Sequence, residues 1–190
     1  MNAAGAPPAT RDRERTRRAL VDAAGHLLQE RGTGFSLADV ASRAQVSKSG
    51  LLHHFPNRDA LIIAVVETGL RRFRDEVMRH VDLAENHAGK VLRAYVRALC
   101  GASEDVTAAF APSAYWNGVD VIPEVADLLR ADAQWWNDTF SRDGLPRETA
   151  LIVQFGAEGV AAAVALGQYI DANAVELARN GLLALTEPNT

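Results

Sequence analysis

The chain has 190 residues, of which 48% are hydrophobic and 23% are charged, so it is too apolar for a disordered protein and can form a core. Cys100 is its only cysteine, which excludes a disulfide within the chain and a zinc site built from several cysteines. The net charge of −4 is the sum of +3 over residues 1–60 and −7 over residues 61–190. A polyanion would therefore be attracted to the first third of the chain. Chance clustering of arginines is the alternative explanation for this small positive excess.

The N-terminal segment, residues 1–10, consists of small, uncharged residues with a proline pair and predicts a disordered arm. Five arginines follow between positions 11 and 18. They begin a predicted helix whose apolar residues recur at helical spacing up to Gly32. These arginines suit DNA phosphates, and equally suit an ordinary solvated helix face.

Residues 35–57 carry the most informative pattern of the chain. Ser36 caps a short amphipathic helix, and Ser47 caps a second run from Lys48 to His54, which Pro56 ends. Two short helices joined by a tight turn predict a helix-turn-helix, whose second helix lies in a DNA major groove. The alternative is a plain helical hairpin with a polar rim.

The second of these helices has side chains suited to DNA. Lys48 is a point charge for a phosphate, and Ser47 and Ser49 are hydroxyl donors at a helix start, where backbone N–H groups also face an anion. His53 and His54 can donate to phosphates or base edges. The predicted DNA-binding residues are Ser36, Ser47, Lys48, Ser49, Gly50, His53, His54 and Arg58.

The stretch SKSGLLHHFPNRDAL, residues 47–61, resembles the recognition-helix signature of the tetracycline-repressor (TetR) family of bacterial regulators. The matching residues are Ser47, Lys48, Leu51, His54, Phe55 and Arg58. Leu52 stands where the family usually has Tyr, so a common phosphate or base contact is missing, and Gly50 follows Ser49 where the glycine often comes first. The resemblance is specific over residues 10–65 and only architectural beyond them.

Helical patterns continue to the end of the chain. A capped run over residues 57–83 predicts one helix of some 25 residues, or roughly 37 Å, which is similar to the connecting helix of the family. Five further helices are predicted, at residues 90–100, 105–116, 123–144 and 146–166 and in the last segment. The last one follows a capping box of Asn173 and Glu176 and is expected to bury Val175, Leu177, Leu182 and Leu183.

The predicted fold is therefore all-α, with about nine helices and no strand. A three-helix DNA-binding head is expected at residues 11–56, and a ligand-binding and dimerisation body at residues 57–190. The resemblance implies a homodimer with two heads on a palindromic operator of double-stranded DNA, and a small-molecule effector that releases it.

A track of small residues on the penultimate helix predicts close approach of another helix, because a glycine in a helix costs about 1 kcal/mol relative to alanine. Together with the apolar last helix, this favours a two-fold four-helix interface as in the family. Close packing within the monomer is the alternative. The predicted dimerisation residues are Gly156, Gly159, Val160, Ala163, Gly167 and Leu182.

The second half of the chain is rich in aromatic residues, with a few polar or acidic residues among them. Such a set suits either a helical core or a pocket for flat apolar or cationic compounds. The predicted ligand-binding residues are Tyr95, Phe110, Trp116, Asp132, Trp135, Trp136, Gln154, Phe155 and Glu158. Two short stretches are also similar to TetR-type regulators that sense multiple drugs and control efflux pumps. They are SKSGLLHHFP and the later LIVQFGAEG.

We therefore expect a ligand-responsive repressor, released by a lipophilic aromatic or cationic effector. A TetR-fold DNA-binding factor without an effector is the first alternative. A helical enzyme is the second, and it is discounted because the sequence shows no nucleophile–base pair, phosphate loop or metal cluster. No catalytic residue, cofactor or metal is expected. The most apolar stretch, residues 150–170, is interrupted by polar residues, which favours a cytoplasmic protein without a membrane helix.

Overall fold

A computed structural model describes residues 8–110, 119, 121–167 and 170–187 of the chain. These residues form nine helices: α1 Pro8–Arg31, α2 Leu37–Arg43, α3 Lys48–His54, α4 Arg58–Arg79, α5 Lys90–Gly101, α6 Glu104–Ala109, α7 Pro123–Arg142, α8 Arg147–Ala165 and α9 Ala172–Ala184. No strand occurs in the described part of the chain. The predicted all-α fold is confirmed.

The chain divides into two compact units. The first holds the described residues up to Thr68 and those from Val119 to Val125, and the second holds Gly69 to Phe110 and the described residues from Ala126 onward. The division falls inside α4 and again near the start of α7, so each of these continuous helices belongs partly to both units. The predicted functional limits, an arm at 1–10, a head at 11–56 and a body at 57–190, stay a prediction.

The start of α1 differs from the prediction. Residues 8–10 of the predicted arm are helical and belong to α1, and the rest of the arm lies outside the described residues. Pro8 is the first helical residue, a position where the missing proline N–H costs nothing because that group has no intrahelical acceptor.

Local hydrogen bonds of Ser36 and Ser47 cap the two helices of the helix-turn-helix, as predicted from the sequence. Asp39 donates its N–H to Ser36 Oγ at 3.2 Å, while Ser36 donates its N–H to Asp39 Oδ2 at 2.7 Å, which completes a capping box for α2. Ser47 Oγ accepts from the N–H of Gly50 at 3.0 Å and caps α3. Gln45 adopts a left-handed φ of 55° between the two helices, which reverses the chain.

Apolar side chains from α1 to α4 form the core of the first unit. The most completely buried ones are Leu20, Ala24, Leu27, Leu28, Val40, Leu51, Phe55, Leu61 and Ile62. Because Leu51 and Phe55 are buried on one side of α3, the opposite side of that helix is exposed to solvent.

The second unit is a helical body around one core. Buried residues from α4 to α8 meet there, among them Phe73, Val77, Leu92, Tyr95, Val96, Leu99, Val106, Trp136, Phe140 and Val153. Helix α8 packs against α5, α6 and α9. It turns Ala150, Val153, Ala157 and Ala161 inward, at the three- and four-residue spacing of one helix face.

The last helix begins differently from the prediction. The predicted capping box at Asn173 and Glu176 is wrong, because Asp171 is the N-cap and accepts the N–H of Ala174 at 2.7 Å. Asn173 lies inside the helix. Leu177, which was expected to be buried, is 64% exposed. Within the described structure α9 covers the body with one side only, and Leu177 is on the other side.

Arg93 connects two distant parts of the second unit. Its guanidinium is almost completely buried and bonds Glu85 Oε2 at 2.6 Å through Nε, as well as the carbonyls of Ala88 at 2.8 Å and Thr186 at 2.9 Å through Nη1. Arg97 holds the second oxygen of Glu85 at 2.6 Å. A buried cation with a carboxylate and two carbonyl acceptors ties the segment before α5 to the end of α9.

Candidate nucleic-acid interface and ligand site

The outer side of α3 presents a compact polar surface. Ser47, Lys48, Ser49 and His53 are exposed, and His54 is half-buried. Leu52, in the position where the family usually has Tyr, is also exposed and supplies no hydrogen-bond donor. The structure thus exposes Ser47, Lys48, Ser49 and His53, so that cation, hydroxyl and imidazole groups can meet a phosphate backbone.

Several predicted DNA-binding residues also have structural roles. Ser47 Oγ caps α3 and lies 3.1 Å from Ser49 Oγ. Ser36 Oγ donates to Asp39 Oδ2 at 2.7 Å and is engaged in its own capping box. A Cβ on Gly50 would lie 2.9 Å from Cγ1 of Val46, so the start of α3 approaches the preceding turn too closely for a larger residue.

A group of positive charges surrounds the end of α3. Burial is the main cause that lowers the pKa of His54, and Arg13, His53 and Arg17 lower it further. The Arg17 guanidinium lies 4.9 Å from the centre of the Phe55 ring. In the sequence, these two arginines cannot be distinguished from their neighbours in α1. Their four-residue spacing puts both on one helix face, but Arg11 and Arg15 have the same spacing, so only the packing of α1 against α3 selects Arg13 and Arg17.

Arg58 makes contacts that the sequence did not predict. Its Nη2 donates to the carbonyl of Thr33, and its guanidinium lies 5.0 Å from the centre of the Phe35 ring. Arg58 therefore holds the segment between α1 and α2 in place. Its contact with DNA stays a prediction.

An aromatic cluster fills the second unit. Tyr95 lies at its centre, with ring centroids 5.0 Å from Trp136, 5.2 Å from Phe140 and 5.8 Å from Phe73. Phe110 contacts Phe73, and Trp135 contacts Trp136 at 4.8 Å. The cluster contains four predicted ligand residues, Tyr95, Phe110, Trp135 and Trp136, together with two that the prediction omitted, Phe73 and Phe140. Trp116 lies outside the described residues.

Glu158 provides a carboxylate at the edge of this cluster. Its Oε1 accepts from the hydroxyl of Tyr95 at 2.9 Å and from Nε2 of Gln154 at 2.9 Å. Both donors are neutral, and no ion pair of Glu158 occurs among the described residues. Burial, and then the charge of Glu158, raise the pKa of the Tyr95 hydroxyl. Three predicted ligand residues thus meet around a half-buried carboxylate without a cation.

Asp132, a predicted ligand residue, is paired with an arginine of the same unit. Arg74, on α4, donates to Asp132 Oδ1 through Nε at 2.6 Å and through Nη2 at 2.5 Å. The Arg74 guanidinium carbon also lies 4.2 Å from the centre of the Trp135 ring. This contact could not be predicted from sequence, since 58 residues separate the two charged groups.

Trp136 has an unusual indole group. Its Nε1 is buried and makes no hydrogen bond within the part of the chain that the structure describes. An unpaired buried donor of this kind costs about 1–3 kcal/mol. The same described residues contain no group of three or more His, Cys, Asp or Glu side chains that could hold a metal ion.

Phe155 lies apart from the aromatic cluster. It is 61% exposed, as is Ile152 three residues earlier on α8, and it makes no ring contact with the cluster residues described here. The reason is angular: successive helix positions turn by about 100°, which places Phe155 on the side of α8 opposite the buried Val153 and Ala157. The described geometry does not support its predicted place in a ligand site.

The small-residue track separates into parts with different surroundings. A Cβ on Gly156 would lie 2.6 Å from Cδ2 of Leu182, so close packing within the monomer explains this glycine. A Cβ on Gly159 would meet nothing within 4 Å. Gly167, predicted on the helix, lies beyond its end with a φ of 60°. Only Gly159, Val160 and Ala163 remain on the helix without such an explanation.

Large apolar side chains are exposed along one side of α8 and α9. We call the set Ile152, Phe155, Leu166, Leu177 and Leu185 the apolar face. Among the described helices, α8 alone is long and apolar enough to span a membrane by length and composition, and 17% of it is buried. The other side of α8, with Ala150, Val153, Ala157 and Ala161, packs against the body.

Family models match both parts of the chain. Residues 20–65 match the model of bacterial regulatory proteins of the tetR family, and residues 89–187 match that of the tetracyclin repressor-like C-terminal domain. These matches confirm the resemblance seen in α3 and extend it over the second half of the chain. The curated proteins include no match to this sequence.

Solved structures share the fold at low identity. A transcriptional regulator from Rhodococcus sp. Rha1 is 20% identical with a TM-score of 0.72, over 90% of this chain and 95% of that one. A TetR-family regulator from Streptomyces coelicolor is 23% identical with a TM-score of 0.69, over 90% and 94%. The multidrug binding protein EbrR, solved with ethidium, is 21% identical with a TM-score of 0.63, over 90% and 97%.

Proposed function

The chain belongs to the TetR family of bacterial regulatory proteins, and on that basis we propose that it is a ligand-responsive repressor, active in the cytoplasm, that binds operator DNA as a homodimer. The exposed surface of α3 carries the proposal. Lys48 and the neighbouring hydroxyl and imidazole groups are exposed to solvent there, while the buried side chains of Leu51 and Phe55 anchor the helix to the core of the first unit. A helix held in this way can enter a major groove and contact phosphates and base edges.

Dimerisation is proposed through the apolar face. Five large apolar side chains are exposed there, and Gly159 leaves room for a second helix. A second copy is the partner that suits this surface, because a two-fold axis would pair α8 and α9 with the same helices of the other chain. Two heads also recognise two half-sites one DNA turn apart, which a single helix-turn-helix cannot do.

The proposed effector is a lipophilic aromatic cation that binds in the body. Glu158 supports this choice, because its half-buried carboxylate receives hydrogen bonds from Tyr95 and Gln154 and has no described cationic partner. Neighbouring rings would add cation–π contacts of about 0.5–2 kcal/mol each. EbrR, which has the same fold, was solved with ethidium, a cation of this class. Control of an efflux system for such compounds is the corresponding biological role.

Release of DNA requires that the effector bind one conformation better than another. A ligand with equal affinity for the DNA-competent form and the released form would not change operator affinity. A coupling of about 1–3 kcal/mol corresponds to a fall in affinity of about 5- to 150-fold. We expect tetraphenylphosphonium to lower operator affinity within this range.

The test begins with footprinting on the DNA that flanks the gene of this protein. The affinity for the protected site is then measured by fluorescence anisotropy, with tetraphenylphosphonium or with tetraphenylborate, which has the same shape and the opposite charge. The cation should weaken binding and quench tryptophan emission, and the anion should do neither. A protected palindrome that neither ion affects would support the effector-free DNA-binding factor instead. No protected site at all would contradict the repressor proposal at this locus.

A further inference from the structure

The side chain of Arg74 lies between a carboxylate and an aromatic ring, the two groups that typically bind a planar cation. Its guanidinium is held at one edge by Asp132 Oδ1, at 2.5 and 2.6 Å, and is covered on a face by the Trp135 ring, with 4.2 Å between the guanidinium carbon and the ring centre. A carboxylate at the edge and an aromatic ring on the face are the two contacts that a flat, delocalised cation can make at once.

This combination distinguishes Arg74 from the other arginines that contact rings. Arg17 lies over Phe55 and Arg58 over Phe35, and neither has a carboxylate among its described partners. Arg93 and Arg97 share the carboxylate of Glu85 without a described ring contact. Within the described residues, the edge-and-face arrangement therefore occurs at Arg74.

The guanidinium of Arg74 can move away more easily than Asp132 and Trp135, which hold it. The side chain of Arg74 is 30% exposed, whereas that of Asp132 is 12% exposed. Arg74 has a long and flexible side chain, so its charge can move into water while Asp132 and Trp135 stay on α7. A departing arginine would leave a mostly buried carboxylate without a cation, which is costly unless another cation replaces it.

A second observation concerns the indole of Trp136, the residue that follows Trp135 on α7. The Trp136 ring contacts Trp135 at 4.8 Å between centroids, and Trp136 Nε1 is buried without an acceptor among the described residues. A ligand that carries an acceptor next to its cationic ring system would satisfy this donor. The neighbourhood of Asp132 thus has the features of a ligand site that the protein fills with its own side chain.

We propose that Asp132 and Trp135 form a binding site for a planar aromatic cation, and that Arg74 occupies this site until the ligand displaces its guanidinium. The proposal rests on the proposed function in that it takes the effector to be an aromatic cation. Arg74 is on α4, a helix that belongs to both units, and its displacement removes an ion pair that holds α4 to α7. The ligand and the connecting helix therefore compete for the same carboxylate.

The test measures ligand binding without DNA, so its result is independent of operator release. Benzamidine is the probe, because its amidinium is flat and cationic, and benzamide is the neutral control of nearly the same shape. Calorimetry compares the wild type with Arg74→Ala, with the double variant Arg74→Ala/Asp132→Asn, and with Arg71→Ala. Arg71 is an exposed arginine three residues earlier on α4 and serves as the matched control.

Arg74→Ala should bind benzamidine with a dissociation constant about tenfold or more below that of the wild type, because the probe no longer competes with an internal cation. Benzamide should gain nothing, Arg71→Ala should behave like the wild type, and Asp132→Asn should remove the gain. Benzamidine should also raise the melting temperature of Arg74→Ala more than that of Arg71→Ala, which remains measurable if the variant is destabilised. Equal benzamidine affinity in wild type and Arg74→Ala, or an equal gain for benzamide, would overturn the proposal.

Discussion

Ser47 and Lys48, adjacent residues at the start of α3, have different roles. Ser47 is engaged in capping the helix, whereas Lys48 is exposed. Both could be predicted from sequence, because a cap depends on residues three positions apart and a charged side chain on the open side of a short helix needs no tertiary information. Arg74 could not be predicted in this way, since its partners Asp132 and Trp135 are brought to it only by the packing of α4 against α7.

Lys48→Ala should weaken binding to all DNA sequences and reduce the slope of log affinity against log salt by about 1, as expected if the ammonium neutralises one phosphate. Lys90→Ala is the matched control, because Lys90 is the only other lysine of the chain and begins α5 in the second unit. Anisotropy titrations at several salt concentrations measure both slopes. Equal slopes for the two variants would remove Lys48 from the interface.

The lowered pKa of His54 predicts a pH-dependent stability. Above the ordinary pKa of histidine both states are neutral, but as pH falls the unfolded chain takes up a proton that burial and nearby cations make unfavourable in the folded state. The free energy of unfolding should therefore fall between pH 7 and pH 5.5. His54→Asn should lose less stability over this interval in urea titrations, whereas His26→Asn, at an exposed position of α1, should retain the wild-type loss.

Helices of the body are joined by caps that cross between them. Asp143, just after α7, accepts the N–H groups of Val91 and Leu92 at 3.1 and 2.8 Å, and its carbonyl accepts from Gly89 at 2.8 Å. The start of α5 is thus capped by a residue more than 50 positions away. Sequence reading placed these helices correctly from their apolar periodicity, but it assigned only local caps and therefore missed this one.

Asp143→Ala should lower the free energy of unfolding by about 1–2 kcal/mol, because two N–H groups at the start of α5 lose their acceptor. Asp127→Ala is the control, since Asp127 is exposed on α7 and pairs there with exposed Arg130. Urea denaturation followed by circular dichroism measures both variants. A loss no larger for Asp143→Ala than for Asp127→Ala would show that the cap contributes nothing measurable.

The choice between neighbouring caps also limited the prediction for α9. Asp171 and Asn173 are both good N-cap residues, and the sequence alone favoured Asn173 because Glu176 completes a capping box. The structure uses Asp171, which starts the helix earlier. The exposed position of Leu177 was missed for a related reason: periodicity identifies an apolar side, but not whether the same chain covers it.

The proposed dimer would depend mainly on the uncovered side of α8 and α9. Gly159→Leu should be accepted by the folded monomer, because a Cβ there meets nothing within 4 Å. In a dimer built on the apolar face it would obstruct the approach of the second copy. The variant should therefore sediment as a monomer at micromolar concentration and lose tight operator binding.

Gly69→Leu is the matched control for this experiment. Gly69 is also inside a helix and also has open space at its Cβ, but it lies on α4. It should remain dimeric. A dimeric Gly159→Leu protein would show that this glycine is not at the interface, and a monomeric Gly69→Leu protein would show that the dissociation is not specific to the apolar face.

The continuity of α4 has a consequence for how such a protein can be lengthened or recombined. One residue inserted near Gly69 advances the helix by about 1.5 Å and turns everything beyond it by about 100°, whereas seven residues return the rotation to within about 20°. The effect of inserted alanines on operator binding should thus follow angular phase rather than added length, with one or two more damaging than seven. Chimaeras that exchange DNA-binding heads between relatives need a junction in helical register, since a cut at this boundary falls inside a helix and not in a tolerant loop.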